Sequence, residues 1–285
     1  MTATVLGGKD LAAQIRAETA ETAAELSGRG VPPKLVVVTA TADKSSGWYV
    51  RSIATAAGKA GIACEEVDLG ESADADTIGT TLADLSAQVL VGGVILATPL
   101  PRGARLAALA QCIDPAKDVD GANPVSLGRL VAGLPAFAPA TAEAVMRLLE
   151  HHGVSLAGRH AVVVGRSTVV GKPVAHLLLD RHATVTICHS RTADLAAITW
   201  TADVLIVAVG RAGLITAGHI RPGAIVIDVG TNPTEIGGLA GDVDPAAAEV
   251  AGALTPVPGG VGPVTTALLL EHTVQAVANR FSVPA

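Results

Sequence analysis

Short continuous runs of Val, Ile and Leu alternate along this chain with longer segments whose apolar residues recur every three or four positions. The runs Lys34–Ala40, Glu65–Leu69, Val89–Leu96, Ala161–Gly165, Thr184–Cys188, Val204–Gly210, Ala224–Gly230 and Ala253–Pro256 predict strands. The periodic segments Asp10–Gly28, Gly47–Gly61, Asp74–Gln88, Arg105–Cys112, Thr141–His152, Gly171–Arg181 and Thr265–Phe281 predict helices. Strands without polar alternation, separated by helices, imply parallel sheets covered on both faces, so the expected fold class is α/β. The stretch Asp114–Pro139 interrupts this rhythm with Pro, Gly and Asp and reads as a domain connection or functional loop. Two α/β lobes are therefore expected, joined near Pro139, with the site in a cleft between them.

Composition narrows the function classes. The chain has 285 residues, of which 49% are hydrophobic, 16% charged and 2% aromatic. Mean hydropathy is +0.48, yet the apolar runs are too short and too interrupted by Gly to span a bilayer. Met1–Asp10 has neither a basic start nor an apolar stretch, so a cytoplasmic location is expected. A net charge of −6 and the scarcity of aromatics argue against nucleic acid. Cys64, Cys112 and Cys188 form neither a disulfide framework nor a zinc pattern. The 8 histidines lack ligand spacing, so no metal is expected, and His151-His152 reads as a helix end. Cys188 reads as structural, with His189 and Arg191 as neighbours able to lower its pKa.

The second half carries a nucleotide pattern. The expected strand Ala161–Val164 leads through Gly165-Arg166-Ser167-Thr168-Val169-Val170-Gly171-Lys172-Pro173 into a helix. Glycines at a strand-to-helix turn let the main chain approach a pyrophosphate, which the helix N-terminus then stabilises. A site for NAD usually places an acid at the end of the next strand to bind the ribose hydroxyls. Here that strand ends Cys188-His189-Ser190-Arg191-Thr192, with no acid. Arg166, Ser190 and Arg191 suit a 2′-phosphate instead, so NADP is expected rather than NAD. Gly210 and Gly230-Thr231-Asn232 end later strands, at the edge where open α/β sheets bind ligands. Thr255–Thr265, rich in proline and glycine and without charge, reads as a rigid loop for a flat ligand.

Taken together, these strings resemble the bifunctional methylenetetrahydrofolate dehydrogenase/cyclohydrolase family. The resemblance rests on Ser46–Val50, Pro99-Leu100-Pro101, Pro115–Gly121, Gly128-Arg129-Leu130, Gly165–Pro173, Cys188–Thr192, Asp228–Asn232, Gly241–Asp244 and Thr255–Thr265, in colinear order. It implies a catalytic lobe of residues 1–138 plus 266–285 and a Rossmann-like NADP-binding domain of 139–265. It also implies a homodimer, a folate-like substrate, and two reactions: oxidation of the methylene bridge, then hydrolysis of the methenyl product. Tyr49 matches the family's pterin-stacking tyrosine and Asp120 the aspartate that grips the pterin edge. Pro99, Leu100, Pro256, Gly259 and Gly260 fall at further substrate positions. Gly165, Arg166, Ser167, Gly171, His189, Ser190, Arg191, Gly210, Gly230, Thr231, Asn232 and Thr265 fall at cofactor positions.

Two positions depart from the family's pattern. Ile53 stands where the resemblance expects the catalytic lysine of Tyr-Val-x-x-Lys, and Ala97 where it expects the glutamine supporting that lysine. Positions 49 and 53 share one face of a helix. Arg51 lies about 160° around the helix from position 53, Lys59 is on the wrong side, and Lys44 precedes the helix. Hydride transfer depends mainly on alignment, whereas bridge hydrolysis needs proton transfer, to which a positioned acid or base contributes roughly 10²–10⁴-fold. The expected activity is therefore a dehydrogenase with cyclohydrolase activity lost or very weak. The alternative is hydride transfer between NADP(H) and a non-folate cyclic imine or aminal. Of the paired acids Asp118 and Asp120, the first is expected in a salt bridge and the second facing ligand.

Overall fold

A computed structural model describes residues 2–234 and 237–281, with the backbone alone at 44–46. The elements in chain order are β1 (Thr4–Val5), α1 (Lys9–Gly28), β2 (Lys34–Thr39), α2 (Lys44–Lys59), β3 (Ala63–Asp68), α3 (Ala75–Ala87), β4 (Gly93–Leu96), α4 (Leu106–Leu109), α5 (Pro124–Val131), α6 (Ala140–His151), β5 (His160–Val164), α7 (Gly171–Asp180), β6 (Thr184–Cys188), α8 (Leu195–Thr199), β7 (Val204–Val207), β8 (Ile225–Asp228), β9 (Asn232–Pro233), β10 (Leu239–Ala240), β11 (Ala253–Leu254) and α9 (Val261–Phe281). The chain divides into two compact units: Met1–Ala12 with Thr141–Thr265, and Ala13–Ala140 with Thr266–Ala285.

The unit formed by Ala13–Ala140 and Thr266–Ala285 holds a three-stranded sheet in the order β3-β2-β4, with parallel pairing throughout. Its central strand β2 is buried from Leu35 to Thr39, as expected of a strand covered on both faces. Val36, Val38, Ile78, Leu82, Leu85, Val94 and Leu96 join one apolar core between strands and α3. Asp74 caps α3 by accepting from the Thr77 N–H at 2.8 Å. The α9 end of the chain is fitted closely here, since a Cβ at Gly92 would meet Val277 at 2.5 Å.

The unit formed by Met1–Ala12 and Thr141–Thr265 holds a six-stranded sheet in the order β1-β11-β8-β7-β5-β6, again all parallel. The order reverses between β5 and β7, because β6 returns to one side of β5 and β7 to the other. In open α/β sheets that reversal marks the ligand crevice, outside the carboxyl ends of the strands. A core of Val162, Val164, Leu205, Val207, Ile215 and Val226 backs the sheet.

Three expectations are corrected. The N-terminal segment through Ala12 lies in the unit with the six-stranded sheet, because β1 pairs with β11 (Thr4 with Ala253, Val5 with Leu254). Two residues of strand are too short to register as a hydrophobic run. The stretch Asp114–Pro139 contains α5, whose first turn has Pro124 at its start and an Asn123 cap accepting from the Val125 N–H at 2.7 Å. The strand expected from Val89 begins only at Gly93.

Candidate functional site

Beside the edge of the three-stranded sheet, Ala97 follows β4 with its N–H donated to Val38 (2.9 Å), and the peptide bond between Thr98 and Pro99 is cis. The segment after Asp114 runs along the same strand: Val94 forms a parallel bridge with Asp118, and its N–H donates to the Lys117 carbonyl at 2.9 Å. This brings Asp120 toward the residues that follow β4. Among the described residues Asp118 makes no salt bridge, contrary to expectation. Its carboxylate instead accepts from the N–H groups of Ala122 (2.9 Å) and Asn123 (2.8 Å) and from the Ser126 hydroxyl (2.8 Å). Lys117, buried, donates its ammonium to the carbonyls of Ser86 (2.5 Å) and Gln88 (2.6 Å). Both side chains therefore shape the loop that carries Asp120.

Asp120 is the perturbed acid of this region. Burial first, and the negative charge of Asp118 second, push its carboxyl up to about 7, with His272 and the Ala140 N–H opposing the rise. His272 donates its Nδ1–H to the Val119 carbonyl at 2.8 Å, and its ring lies 5.0 Å from that of Phe137. Sequence reasoning missed this histidine, which sits far along the chain in α9. The Tyr49 phenol is raised well above its ordinary range, by loss of water around it and then by Asp120. The Tyr49 phenol thus feels the Asp120 charge, and Tyr49 is 37% exposed.

Ile53 behaves differently from Tyr49. It is 0% exposed and belongs, with Val50 and Ala57, to the buried stripe of α2. Ala97 is 4% exposed. Neither offers a proton, and the bases of α2 do not replace one, since Arg51 and Lys59 are exposed. The Lys44 side chain lies outside the described residues. Pro99 is exposed and Leu100 half-buried.

The edge of the six-stranded sheet gathers the other candidates. Gly165 follows β5 at φ +134°, and a Cβ there would meet the Ala208 carbonyl oxygen at 2.2 Å. A Cβ at Gly171 would meet the Gly165 carbonyl oxygen, also at 2.2 Å. Only glycine allows the turn to close this tightly between β5, β7 and α7. The Ser167 hydroxyl accepts from the N–H groups of Val170 (3.1 Å) and Gly171 (3.4 Å), capping α7. Among the described residues, the N–H groups of Arg166, Ser167, Thr168 and Val169 have no partner in the chain. Four consecutive main-chain donors on an exposed turn before a helix are what a pyrophosphate needs, so the residues present fit a dinucleotide.

β6 lies next to β5, with Cys188 opposite Val164, so the turn after β6 flanks Gly165 and Arg166. Here Ser190 and Arg191 are exposed, and His189 accepts the Arg191 N–H at Nδ1 (3.1 Å). Among the described residues no ion pair engages Arg166 or Arg191. Burial pushes the Cys188 thiol up, against the expectation that its neighbours lower it.

Other candidates serve the protein itself. The Asn232 amide donates to the Ala240 carbonyl (3.2 Å) and to Asp242 (2.9 Å). Gly230 leaves room for Asp242, whose backbone nitrogen a Cβ there would meet at 2.4 Å. Gly259 and Gly260 are buried, and Gly8 donates its N–H to the Gly259 carbonyl at 2.8 Å. The Thr265 hydroxyl donates to the Val261 carbonyl within α9 at 3.3 Å. Gly210 (φ +65°) faces open space, Thr231 is exposed and Pro256 half-buried. Among the described residues no helix is long and apolar enough to cross a membrane.

Comparison with known proteins matches two family descriptions. Residues 6–120 match "Tetrahydrofolate dehydrogenase/cyclohydrolase, catalytic domain", and residues 139–281 match "Tetrahydrofolate dehydrogenase/cyclohydrolase, NAD(P)-binding domain". A relative from Rhodococcus jostii (strain RHA1), "Bifunctional protein FolD 1", is 62% identical over 278 residues, covering 97% of this chain and 94% of its own. A solved bifunctional methylenetetrahydrofolate dehydrogenase/cyclohydrolase from Campylobacter jejuni superimposes with a TM-score of 0.93 at 38% identity, covering 98% and 99% of the two chains. A Trypanosoma brucei methylenetetrahydrofolate dehydrogenase-cyclohydrolase, solved with NADP cofactor and inhibitor, gives 0.93 at 35%, covering 99% and 100%.

Proposed function

We propose, from the premise that this chain belongs to the tetrahydrofolate dehydrogenase/cyclohydrolase family, that it oxidises 5,10-methylenetetrahydrofolate to the 5,10-methenyl form with NADP and hydrolyses the product very slowly. The cofactor, when bound, supplies the hydride acceptor. Arg166, Ser190 and Arg191, exposed around the ends of β5 and β6, would hold the 2′-phosphate, and the open N–H groups of residues 166–169 the pyrophosphate. NADP in the Trypanosoma brucei relative supports the same choice. Tyr49 offers an exposed ring face for a pterin, and Asp120 a carboxyl poised near neutrality for its polar edge.

The observation that carries the weak hydrolysis is the burial of an apolar Ile53 beside Tyr49 on α2, with Ala97 after β4. Among the candidate substrate residues only Tyr49 and Asp120 hold a transferable proton, and the Tyr49 proton is held more tightly than usual. The experiment follows NADP reduction by absorbance with methylenetetrahydrofolate, then traps the product in acid. Accumulating methenyl product is the expected result. A full yield of the 10-formyl product overturns the hydrolytic defect and aligns this chain with relatives named as bifunctional. Bound NADP that stays oxidised overturns the folate assignment in favour of a cyclic imine or aminal.

A further inference from the structure

Gly241–Asp244 follows β10 and carries a buried acid. Asp242 is 0% exposed. One carboxylate oxygen accepts from the N–H groups of Val209 (2.7 Å) and Gly210 (2.9 Å), and the other from the Arg211 N–H (2.8 Å) and the Asn232 amide (2.9 Å). Asp228, also buried, holds Asp242 in turn. Its carboxylate accepts the N–H groups of Asp242 (2.9 Å), Val243 (3.0 Å) and Gly230 (2.9 Å). The fit admits no side chain at Gly241, where a Cβ would fall 1.8 Å from the Asp228 carboxylate.

Three consecutive N–H groups converging on one point, with Gly210 at φ +65° in the middle, form an anion-binding nest. The nest follows β7, on the other side of the strand-order reversal from the Gly165–Gly171 turn. One sheet edge therefore carries two sets of consecutive main-chain donors. Residues 166–169 leave theirs open, while residues 209–211 have theirs filled by an internal carboxylate.

We propose that Asp242 is a positioning residue for the dinucleotide: it occupies the second nest as a built-in anion, fixes the Val209–Arg211 loop, and leaves the turn after β5 as the single phosphate cradle at this edge. This rests on the reading of the unit as an NADP-binding domain. In a doubly wound sheet the two sides of the reversal serve the two nucleotide halves. The loop held by Asp242 thus shapes the nicotinamide side, and the turns after β5 and β6 the adenosine side.

Two probes separate these sides: NADP, which spans both, and adenosine 2′,5′-bisphosphate, which has only the adenosine side. Dissociation constants are measured by titration calorimetry on the full chain. Asp242→Asn keeps the shape but sets an amide against main-chain donors, so NADP is expected to bind about tenfold or more weakly. The bisphosphate is expected to bind within twofold of the unaltered chain. Gly210→Ala provides a second route, because its Cβ meets open space and only the left-handed backbone is strained. The same split is expected there, and this variant decides the matter if Asp242→Asn fails to fold. Unchanged NADP binding in the folded variants, or equal loss for both probes, overturns the positioning role. If the unaltered chain binds neither probe, the NADP reading itself falls, and the proposal with it.

Discussion

At the edge of the six-stranded sheet the candidate groups are mostly main-chain donors and the glycines that expose them, with Arg166, Ser190 and Arg191 beside them; at the edge of the three-stranded sheet they are single side chains. The first edge offers the N–H groups of residues 166–169 and holds its loops with Asp228 and Asp242. Almost any residue supplies an N–H, so such a site depends on glycine positions and buried acceptors rather than on the exposed side chains. On the proposed reading, the second edge keeps its scaffold while its chemistry turns on what stands at 49, 53, 97 and 120. On that reading, replacing one or two side chains there removes a proton path and leaves the packing intact, since Ile53 is fully buried in α2. The proposed weak hydrolysis is therefore compatible with intact dinucleotide binding.

The largest test of this contrast restores the absent pair. Ile53→Lys with Ala97→Gln is expected to raise bridge hydrolysis by roughly 10²–10⁴-fold, the usual contribution of a positioned acid or base. NADP affinity should not move, because neither position lies in the NADP-binding unit. The decay of methenyl absorbance measures the first effect and calorimetry the second. The cost falls on stability: position 53 is wholly buried, and an ammonium there needs the new amide as a partner. Ile53→Lys alone should therefore melt lower than the double variant. No gain in hydrolysis from a folded double variant would mean that the three-stranded edge has lost more than its side chains.

Legibility in the sequence followed the range of the forces involved. The strands β2, β5 and β7 and the turn from Gly165 to Gly171 announce themselves in consecutive residues, because burial on both faces and close backbone approach act locally. Asn123-Pro124 carries the cap and start of α5 just as plainly, but the surrounding glycines and prolines obscured it. Spacing did not show what Asp242 does, since its partners are N–H groups 31 to 33 positions away. The elevation of Asp120 likewise arises from burial and Asp118, against the opposing pull of a histidine in α9, none of which spacing reveals. Asn232 and Gly230 follow β8 near the end of that strand, but their atoms are engaged with Asp242 and Asp228.

A middle-sized effect sharpens the six-stranded side. If a guanidinium rather than a main-chain donor selects the 2′-phosphate, Arg191→Ala should weaken NADP by about ten- to hundredfold, the range for hydrogen bonds to a charged group. NAD binding should change far less. The ratio of the two dissociation constants reads the preference directly. An unchanged ratio would shift the selection to Arg166 and Ser190, whose side chains are also exposed beside that turn.

The smallest effect belongs to Asp120 and depends on pH. Its carboxyl titrates near 7 in the folded chain against 3.8 as its ordinary value. Between those values the folded state keeps a proton that the unfolded state has released. Stability should therefore decline as pH rises from about 4 to 7 and lose no more from this group above that window. Asp120→Asn should remove that slope, as thermal melts across pH would show. Binding has the opposite sign. A pterin presents N–H donors along its amino-pyrimidinone edge, so the ionised carboxylate is the form that accepts them. Only about a tenth of the groups are ionised one unit below the midpoint. The KM for methylenetetrahydrofolate should thus fall by up to about tenfold between pH 6 and 8, and this dependence should vanish in Asp120→Asn. A KM flat with pH in the unaltered chain would place the pterin edge elsewhere and leave Asp120 as part of the loop that Asp118 and Lys117 hold.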